Sequence, residues 1–256
     1  MQRTIDYGER GQVKVANSAK DVAFLAVEEV AVNALRAMQR RTPAFVALSG
    51  GSTPKRMFDI FKDPRFRRRF DWTSLQFFWG DERWVPIEDE ASNAGEALRG
   101  FIEDVELPEE NYHPWPTHLD DPAAAAAAYE ETVRIVTGAQ DGDVPVFDLV
   151  FLGMGDDGHT ASLFPGTEAI HETGRLCVAN VVPKLDTTRL TFTPNLINNA
   201  REVIFLVTGE GKAEMLHRVL DGPIDVDTFP SQVVRPDDGR LRWIVDTAAA
   251  ARLEKG

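Results

Sequence analysis

Apolar residues along the chain are grouped into short runs bounded by turn residues, and helical patterns lie between several of these runs. The predicted strands are Phe45–Leu48, Leu75–Trp79, Val146–Leu152, Leu176–Val182, Arg189–Phe192, Val203–Val207 and Arg242–Val245. The predicted helices are Asn17–Arg40, Pro54–Lys62, Ser92–Ile102, Gly211–Leu220 and Thr247–Leu253. The strands lack strict alternation of apolar and polar residues, which is typical of strands buried on both faces. Strands that alternate with helices predict an α/β fold around a mostly parallel sheet flanked by helices.

The first predicted helix is amphipathic, and the alanine-rich segment near residue 125 predicts another helix. The apolar stripe of the first helix consists of Val22, Leu25, Val30, Leu35 and Met38. Asp120 or Asp121 is placed to cap the second helix, with Pro122 in its first turn. The roughly 40 residues before the first motif read as one strand and one helix. No repeat or Gly/Ser linker divides residues 1–256, so we expect a single domain.

Charge and cysteine content narrow the classes of partner. The 256 residues include 28 Lys+Arg and 41 Asp+Glu, for a net charge of −13, which argues against nucleic acid or an anionic membrane as partner. An anionic ligand would need positive charge gathered locally. The lone Cys177 suits a reducing compartment, and neither a signal peptide nor a membrane span is evident, so we expect a cytoplasmic protein. No obligate protein partner is indicated.

The segment SGGSTP follows the predicted strand Phe45–Leu48 and opens a helix. Glycines such as Gly50 and Gly51 allow a ligand to approach the backbone closely, Thr53 is a good N-cap, and Pro54 suits the first helical position. Together with Ser52, these residues could bind a phosphate at the positive end of the helix dipole. The alternative is an ordinary strand-to-helix turn.

The segment GDERWVP follows the next strand. Asp81 could act as a base or hydrogen-bond acceptor, and the guanidinium of Arg83 could bind a phosphate or carboxylate. Three consecutive charged residues could equally form a solvated turn.

The segment GMGDDGHTASLFPG is the most specific. Its glycines predict a tight turn that presents Asp157 and His159 to a cleft, where the carboxylate would orient an imidazole acting as general base. A structural histidine in a turn is the alternative. Ser162 lacks the GxSxG context of a nucleophilic serine. The histidines lack metal-ligand spacing and no dinucleotide fingerprint occurs, so we expect no metal and no cofactor.

Two isolated cations stand near predicted strand ends, Arg189 in TTRLTFTP and Lys212 in FLVTGEGKAEML. Most such residues are surface charges, but these two could bind the anion. The basic cluster at Arg65–Phe70 follows a helix rather than a strand, which indicates a solvated face.

The motifs SGGSTP, GDERWVP, GMGDDGHTASLFPG, RLTFTPxxIN and FLVTGEGKAxxL, in this order between Thr42 and Asp246, resemble the 6-phosphogluconolactonase family. That family belongs to the group that also contains glucosamine-6-phosphate isomerase/deaminase. The resemblance implies a Rossmann-like fold of the isomerase/lactonase type and hydrolysis of 6-phospho-D-glucono-1,5-lactone. It also implies that His159 is the catalytic base and Asp157 its neighbouring acid. The implied sugar-phosphate pocket is formed by Gly50, Gly51, Ser52, Thr53, Arg83, Arg189 and Lys212.

Two other functions are compatible with the resemblance. In the isomerase relatives a glutamate stands five residues after the histidine, where this chain has Phe164, so the lactonase is favoured. A sugar-phosphate sensor of a transcription regulator would carry a DNA-binding module, and the residues before the first motif are too few for one.

Overall fold

The computed structural model describes residues 3–68, 71–140 and 142–254 and contains eleven strands within them. The strands are β1 (Arg3–Asp6), β2 (Gln12–Ala16), β3 (Ala44–Leu48), β4 (Leu75–Trp79), β5 (Asp81–Arg83), β6 (Tyr112–His113), β7 (Leu149–Leu152), β8 (Cys177–Val182), β9 (Thr187–Phe192), β10 (Glu202–Val207) and β11 (Arg240–Asp246).

Eight of these strands form the main sheet, in the order β1-β2-β11-β10-β7-β3-β4-β6. All neighbouring pairs are parallel except β1 and β2, which are antiparallel. The mostly parallel sheet predicted from the sequence is therefore confirmed. In such a sheet the carboxyl ends of the parallel strands lie along one edge, where ligands usually bind.

Helices connect the strands and cover the sheet. They are α1 (Ala19–Arg40), α2 (Ser52–Lys62), α3 (Pro64–Arg67), α4 (Asn93–Ala97), α5 (Glu103–Val105), α6 (Pro122–Thr137), α7 (Pro194–Asn198) and α8 (Ala213–Leu220). Helical turns of π type at Leu98–Ile102 join α4 to α5. Ser18 caps α1 by accepting from the N–H of Asp21, and Asp121 caps α6, as one of the two sequence alternatives predicted.

The strands β5, β9 and β8 form a second, antiparallel sheet, which the sequence analysis did not separate from the first. The connection between β8 and β9 is only the four-residue segment 183–186, too short for the crossover that parallel neighbours require. The prediction for the N-terminal region was also wrong, because two strands, β1 and β2, precede α1 rather than one. Core residues of both sheets, such as Phe205 of β10 and Leu190 of β9, belong to one continuous hydrophobic cluster.

The predicted apolar stripe of α1 is correct in its first half and wrong in its second. Val22 and Val30 are buried, but Leu35 is 56% and Met38 50% exposed. Towards the end of the helix the buried face consists instead of Ala34 and Ala37. Small residues let the helix lie close to its neighbours, and an analysis that weights large apolar side chains overlooks such a face. Within the described part of the chain, every helix is too short or too polar to span a membrane.

Candidate active site

The loops that follow β3, β4, β7 and β10 meet at the carboxyl edge of the main sheet. These segments carry, in turn, Gly50 to Thr53 at the start of α2, Asp81 at the start of β5, Gly153 to His159, and Thr208 to Lys212. The hydroxyl oxygens of Thr53 and Thr208 are 3.1 Å apart, which ties the loop after β3 to the loop after β10. The sequence prediction that these motifs gather at strand ends is thus consistent with the fold.

His159 and Asp157 form a hydrogen-bonded pair. Nδ1 of His159 is 2.6 Å from Oδ1 of Asp157, and the backbone N–H of His159 donates to the same oxygen at 3.3 Å. The turn is closed by the N–H of Gly155, which donates to the carbonyl of His159 at 2.8 Å. A Cβ on residue 155 would lie 2.0 Å from Nδ1 of His159, so the ring occupies space that only glycine leaves open. Because Asp157 engages Nδ1, Nε2 is the nitrogen left to exchange protons with a ligand.

Asp157 also binds a cation that the sequence analysis did not identify. Nζ of Lys184 is 2.7 Å from Oδ2 of Asp157. The hydrogen bond with His159 holds the pKa of the Asp157 carboxyl well below its ordinary value, with a smaller contribution from Lys184 and against the opposing effect of burial. Asp157 is therefore an anion throughout the neutral pH range, as a group that orients an imidazole must be.

His159 and Asp157 border a cavity of about 420 Å³. Its walls also include Asp81, Arg83, Ala161, Ser162, Phe164, Lys184 and Arg189. The structure therefore brings five of the predicted site residues, His159, Asp157, Asp81, Arg83 and Arg189, around one space. Cavities of about 640 and 690 Å³ open elsewhere on the surface, but neither is bordered by any of these five residues.

Arg83 and Arg189 are neighbours across the antiparallel pair β5 and β9. Burial, and next the positive charge of Arg83, lower the pKa of Arg189, while Asp81 and Glu82 oppose this effect. Nε of Arg189 is buried and has no hydrogen-bond partner among the described residues, whereas Nη1 of Arg83 donates to the carbonyl of Ala91 at 2.6 Å. Two adjacent cations with spare donors form the local positive charge that an acidic protein needs to bind an anion.

Asp81 is fixed in a buried polar network. Oγ of Ser162 donates to Oδ2 of Asp81 at 2.8 Å, and Nδ2 of Asn93 donates to the backbone carbonyl of Asp81 at 2.9 Å. Ser162 follows Ala161, whose φ of 46° lies in the left-handed region. Such strained residues persist where the surroundings hold them. Asp81 thus presents a carboxylate of fixed orientation to the cavity.

The adjacent Glu82 is 1% exposed, and its carboxylate binds the start of α4 rather than the cavity. Its carboxylate accepts from the backbone N–H groups of Asn93 and Ala94 at 2.7 and 2.8 Å and from the hydroxyl of Ser92 at 3.1 Å. Burial raises the pKa of Glu82, although these backbone donors oppose the effect. Glu82 therefore attaches the first turn of α4 to β5, and with it Asn93.

The predicted phosphate loop lies beside the cavity rather than in its wall. Gly50 contacts Asn93 so closely that a Cβ would lie 1.8 Å from Oδ1 of that residue. The prediction that Thr53 caps α2 is wrong, since the cap is Gly51, with φ 112° and no side-chain hydrogen bond. The helix therefore begins at Ser52 with N–H groups that no side chain caps, which favours an anion at this position.

Lys212 and the arginine cluster occupy different environments. Nζ of Lys212 is 2.5 Å from Oδ1 of Asp156. Asp156 borders the cavity, whereas Lys212 does not. Arg65 pairs with Asp63 in an exposed position, as expected for a solvated face, and Arg69 and Phe70 of that cluster lie outside the described residues. Among the residues described by the structure, no three His, Cys, Asp or Glu side chains are grouped so that they could hold a metal ion.

Three residues that contact the predicted site had not been assigned to it, namely Lys184, Asn93 and Ser162. Lys184 and Asn93 stand in segments without glycine-rich loops, and Ser162 was considered only as a nucleophile. Lys184 reaches the site from the turn between β8 and β9 and Asn93 reaches it from α4, whereas Ser162 lies in the segment after β7 and contacts Asp81 of β5. The place of each therefore depends on tertiary structure. The only sequence signal was the position of Lys184 five residues before Arg189, in the turn before β9.

The fold and this arrangement define an α/β protein with a histidine–aspartate pair and two arginines at the carboxyl edge of a parallel sheet. The family model for glucosamine-6-phosphate isomerases/6-phosphogluconolactonase matches residues 17–243, and the chain belongs to this family. It is 39% identical over 218 residues to the 6-phosphogluconolactonase of Synechocystis, covering 85% of this chain and 88% of that one. A 6-phosphogluconolactonase of Nostoc is 40% identical over 208 residues, covering 81% of this chain and 84% of that one. The structure of 6-phosphogluconolactonase from Trypanosoma cruzi superimposes with a TM-score of 0.84 at 30% identity, covering 94% and 96% of the two chains.

Proposed function

We propose that this chain is a lactonase that hydrolyses 6-phospho-D-glucono-1,5-lactone to 6-phosphogluconate, a step of the oxidative pentose phosphate pathway. The observation that carries the proposal is the His159–Asp157 pair, with Nδ1 and Oδ1 2.6 Å apart, in one cavity with Arg83 and Arg189. A lactone is an activated ester, so its hydrolysis needs a positioned water, a base and stabilisation of the developing oxyanion. The family membership and the names of the relatives support this substrate.

In the proposed mechanism, Asp157 keeps the imidazole proton on Nδ1 of His159, so that Nε2 accepts a proton from water. The oxygen of that water attacks C1 of the lactone, and the C1 oxygen becomes an oxyanion. Backbone N–H groups of the glycine-rich loops or the Arg83 guanidinium stabilise this charge. The bond between C1 and the ring oxygen then breaks, and the imidazolium returns the proton to the ring oxygen. The products are a carboxylic acid and a free hydroxyl, so one water is consumed.

The phosphate lies far from C1 and serves as a handle. The proposed phosphate and sugar contacts are two cations and the segment that opens α2. The cations are Arg189 and Lys212, and the segment consists of Gly50, Gly51, Ser52 and Thr53. Asp81 is a carboxylate and would repel phosphate, so its proposed partners are the sugar hydroxyls. Binding energy at the phosphate would hold C1 close to His159.

The proposal extends to the compartment, the domain organisation and the partners of the protein. We place the protein in the cytoplasm, where thiols such as that of Cys177 are kept reduced. We treat residues 1–256 as one domain because one hydrophobic cluster joins both sheets. The proposed partner is a small sugar phosphate, without a requirement for a cofactor or a second protein.

The deciding assay follows acid release from freshly prepared 6-phosphogluconolactone, with spontaneous hydrolysis subtracted. We expect His159→Gln to lower kcat by about 10²- to 10⁴-fold, the usual contribution of a general base. His171→Gln is the matched control, because Nε2 of His171 is 2.7 Å from Oδ1 of Asp227 in an exposed pair away from the cavity. Wild-type turnover by a folded His159→Gln protein would show that His159 is not the base.

A further inference from the structure

The turn between β8 and β9 brings a cation to the cavity from the second sheet. β8 and β9 pair along their whole length, from Cys177 opposite Phe192 to Val182 opposite Thr187. Pro183 begins a short 3-10 turn and Asp186 ends it with φ 47°, so the four connecting residues have a defined backbone. Lys184 is the second residue of this turn, and it borders the cavity together with Leu185.

Lys184 and His159 bind the two different oxygens of one carboxylate. His159 engages Oδ1 of Asp157 and Lys184 engages Oδ2, at 2.6 and 2.7 Å. A carboxylate bonded at one oxygen can rotate about its last bond, whereas one bonded at both has a fixed plane. We propose that Lys184 is a positioning residue that fixes the Asp157 carboxylate against His159 and offsets its negative charge. This inference rests on the proposed function of His159 as the general base.

Ordinary exposed ion pairs contribute little to folding stability, and the side chain of Lys184 is 67% exposed. Two features distinguish this pair. The Asp157 side chain is only 23% exposed, and its other oxygen is engaged by His159. Lys184 therefore acts on the orientation and charge of a functional group, and its effect is expected on the reaction rather than on folding.

The sign of the effect on pH dependence follows from charge. The nearby charged groups, on every element that faces the pair, are Asp156, Lys212, Asp81, Arg83 and Arg189. Lys212 is paired with Asp156, and the two arginines lie in β5 and β9. Lys184 is the cation that contacts Asp157 within the described ranges. Without it the carboxylate would stabilise the imidazolium of His159 more strongly, so the inactive protonated form would persist to higher pH.

The experiment compares Lys184→Met, Lys184→Arg and the control Arg175→Met. Arg175 forms an ion pair with Glu172 whose side chains are 68% and 17% exposed, similar to the 67% and 23% of Lys184 and Asp157, and it lies outside the cavity. We expect Lys184→Met to lower kcat about three- to tenfold and to move the acid limb of the kcat profile up by about 0.3–0.7 pH unit, the range of a partly screened charge pair. Lys184→Arg should keep kcat and the position of the acid limb close to those of the unmodified protein, and Arg175→Met should change neither.

A double variant separates action through Asp157 from action on the substrate. In an Asp157→Asn background there is no carboxylate charge to offset, so adding Lys184→Met should lower kcat by less than twofold further. A further loss as large as in the wild-type background, or a rise in KM with an unmoved pH profile, would overturn the proposal and assign Lys184 to the substrate phosphate.

The coupling can also be measured without substrate. In Lys184→Met the NMR titration of the His159 ring protons should move to higher pH by a similar amount. If the unmodified protein failed to hydrolyse the lactone, the proposed function would fall while this titration still tested the coupling. An unmoved titration in a protein that does hydrolyse the lactone would refute the role of Lys184 alone.

Discussion

The ring of Phe164 lies against the imidazole of His159, with centroids 4.1 Å apart and planes inclined by 25°. Phe164 is buried and borders the cavity. Its ring covers one face of the imidazole, and Asp157 holds Nδ1, so the orientation of His159 is restricted by both a packing contact and a hydrogen bond. Phenylalanine has no exchangeable proton, so the residue that covers this face of His159 takes no part in proton transfer.

This contact predicts which of the two reactions of the family the protein performs. In the isomerase relatives an acid five residues after the histidine assists ring opening. This chain has Phe164 at that position. We therefore expect lactone hydrolysis and no detectable ammonia from glucosamine 6-phosphate, measured with the same enzyme preparation in a coupled ammonia assay. Ammonia release at a rate comparable to lactone hydrolysis would refute the prediction.

Phe164→Leu and Phe164→Glu extend this test. Leucine keeps an apolar wall, so hydrolysis should fall less than about tenfold through poorer packing of His159. Glutamate alone should not create the isomerase, because C2 of the substrate and Asp81 must also be aligned within a fraction of an ångström.

The cations are predicted to recognise the phosphate. Replacing Arg189 or Lys212 by Ala should weaken binding of the phosphorylated lactone by about 1.5–3 kcal/mol, or roughly ten- to a hundredfold or more in KM, as for a charge-assisted hydrogen bond. Unphosphorylated gluconolactone should be hydrolysed with nearly unchanged KM. Arg65→Ala is the control, since Arg65 is exposed and pairs with Asp63. Equal losses with both lactones would mean that Arg189 and Lys212 do not bind the phosphate.

The sequence predicted the sheet well because its signals are local. Runs such as Phe45–Leu48 and Val203–Val207 need only a short apolar segment and a following turn, and both are strands at the predicted positions. The same is true of His159 and Asp157, which a five-residue turn brings together. Asp81 and Arg189 were predicted as site residues, but their pairing across β5 and β9 was not, because it depends on a second sheet assembled from distant segments.

The contacts missed from the sequence share one property. Lys184 and Asp157 are 27 residues apart, and Ser162 and Asp81 are 81 apart. Neither pair follows a periodicity, and each bond requires segments that are distant in sequence to be brought together by the pairing of strands. Thr53 shows a related limit, since its residue type suits a cap, yet its hydroxyl lies 3.1 Å from that of Thr208 in a different loop.

The last prediction concerns two glycines of the loop after β7. A Cβ at residue 155 would lie 2.0 Å from Nδ1 of His159 and 2.8 Å from Oδ1 of Asp157, while a Cβ at residue 153 would have no atom within 4 Å. Gly155→Ala should therefore push the imidazole away from the carboxylate, and Phe164 behind it limits where the ring can go. We expect kcat to fall by about 10- to 100-fold, the scale expected when a reacting group is displaced by a fraction of an ångström to an ångström.

Gly153→Ala is the matched control, because it adds the same methyl group to the same loop without a collision. Its kcat should stay within about twofold of wild type, and thermal unfolding of both variants shows whether the loop still folds. Overpacking at Gly155 is expected to cost about 1–3 kcal/mol of stability, which leaves a folded enzyme to assay. If Gly155→Ala kept full activity, the 2.6 Å contact between His159 and Asp157 would not be required for turnover. If both variants lost activity equally, the loop itself would be intolerant of side chains, and the specific collision with His159 would explain nothing.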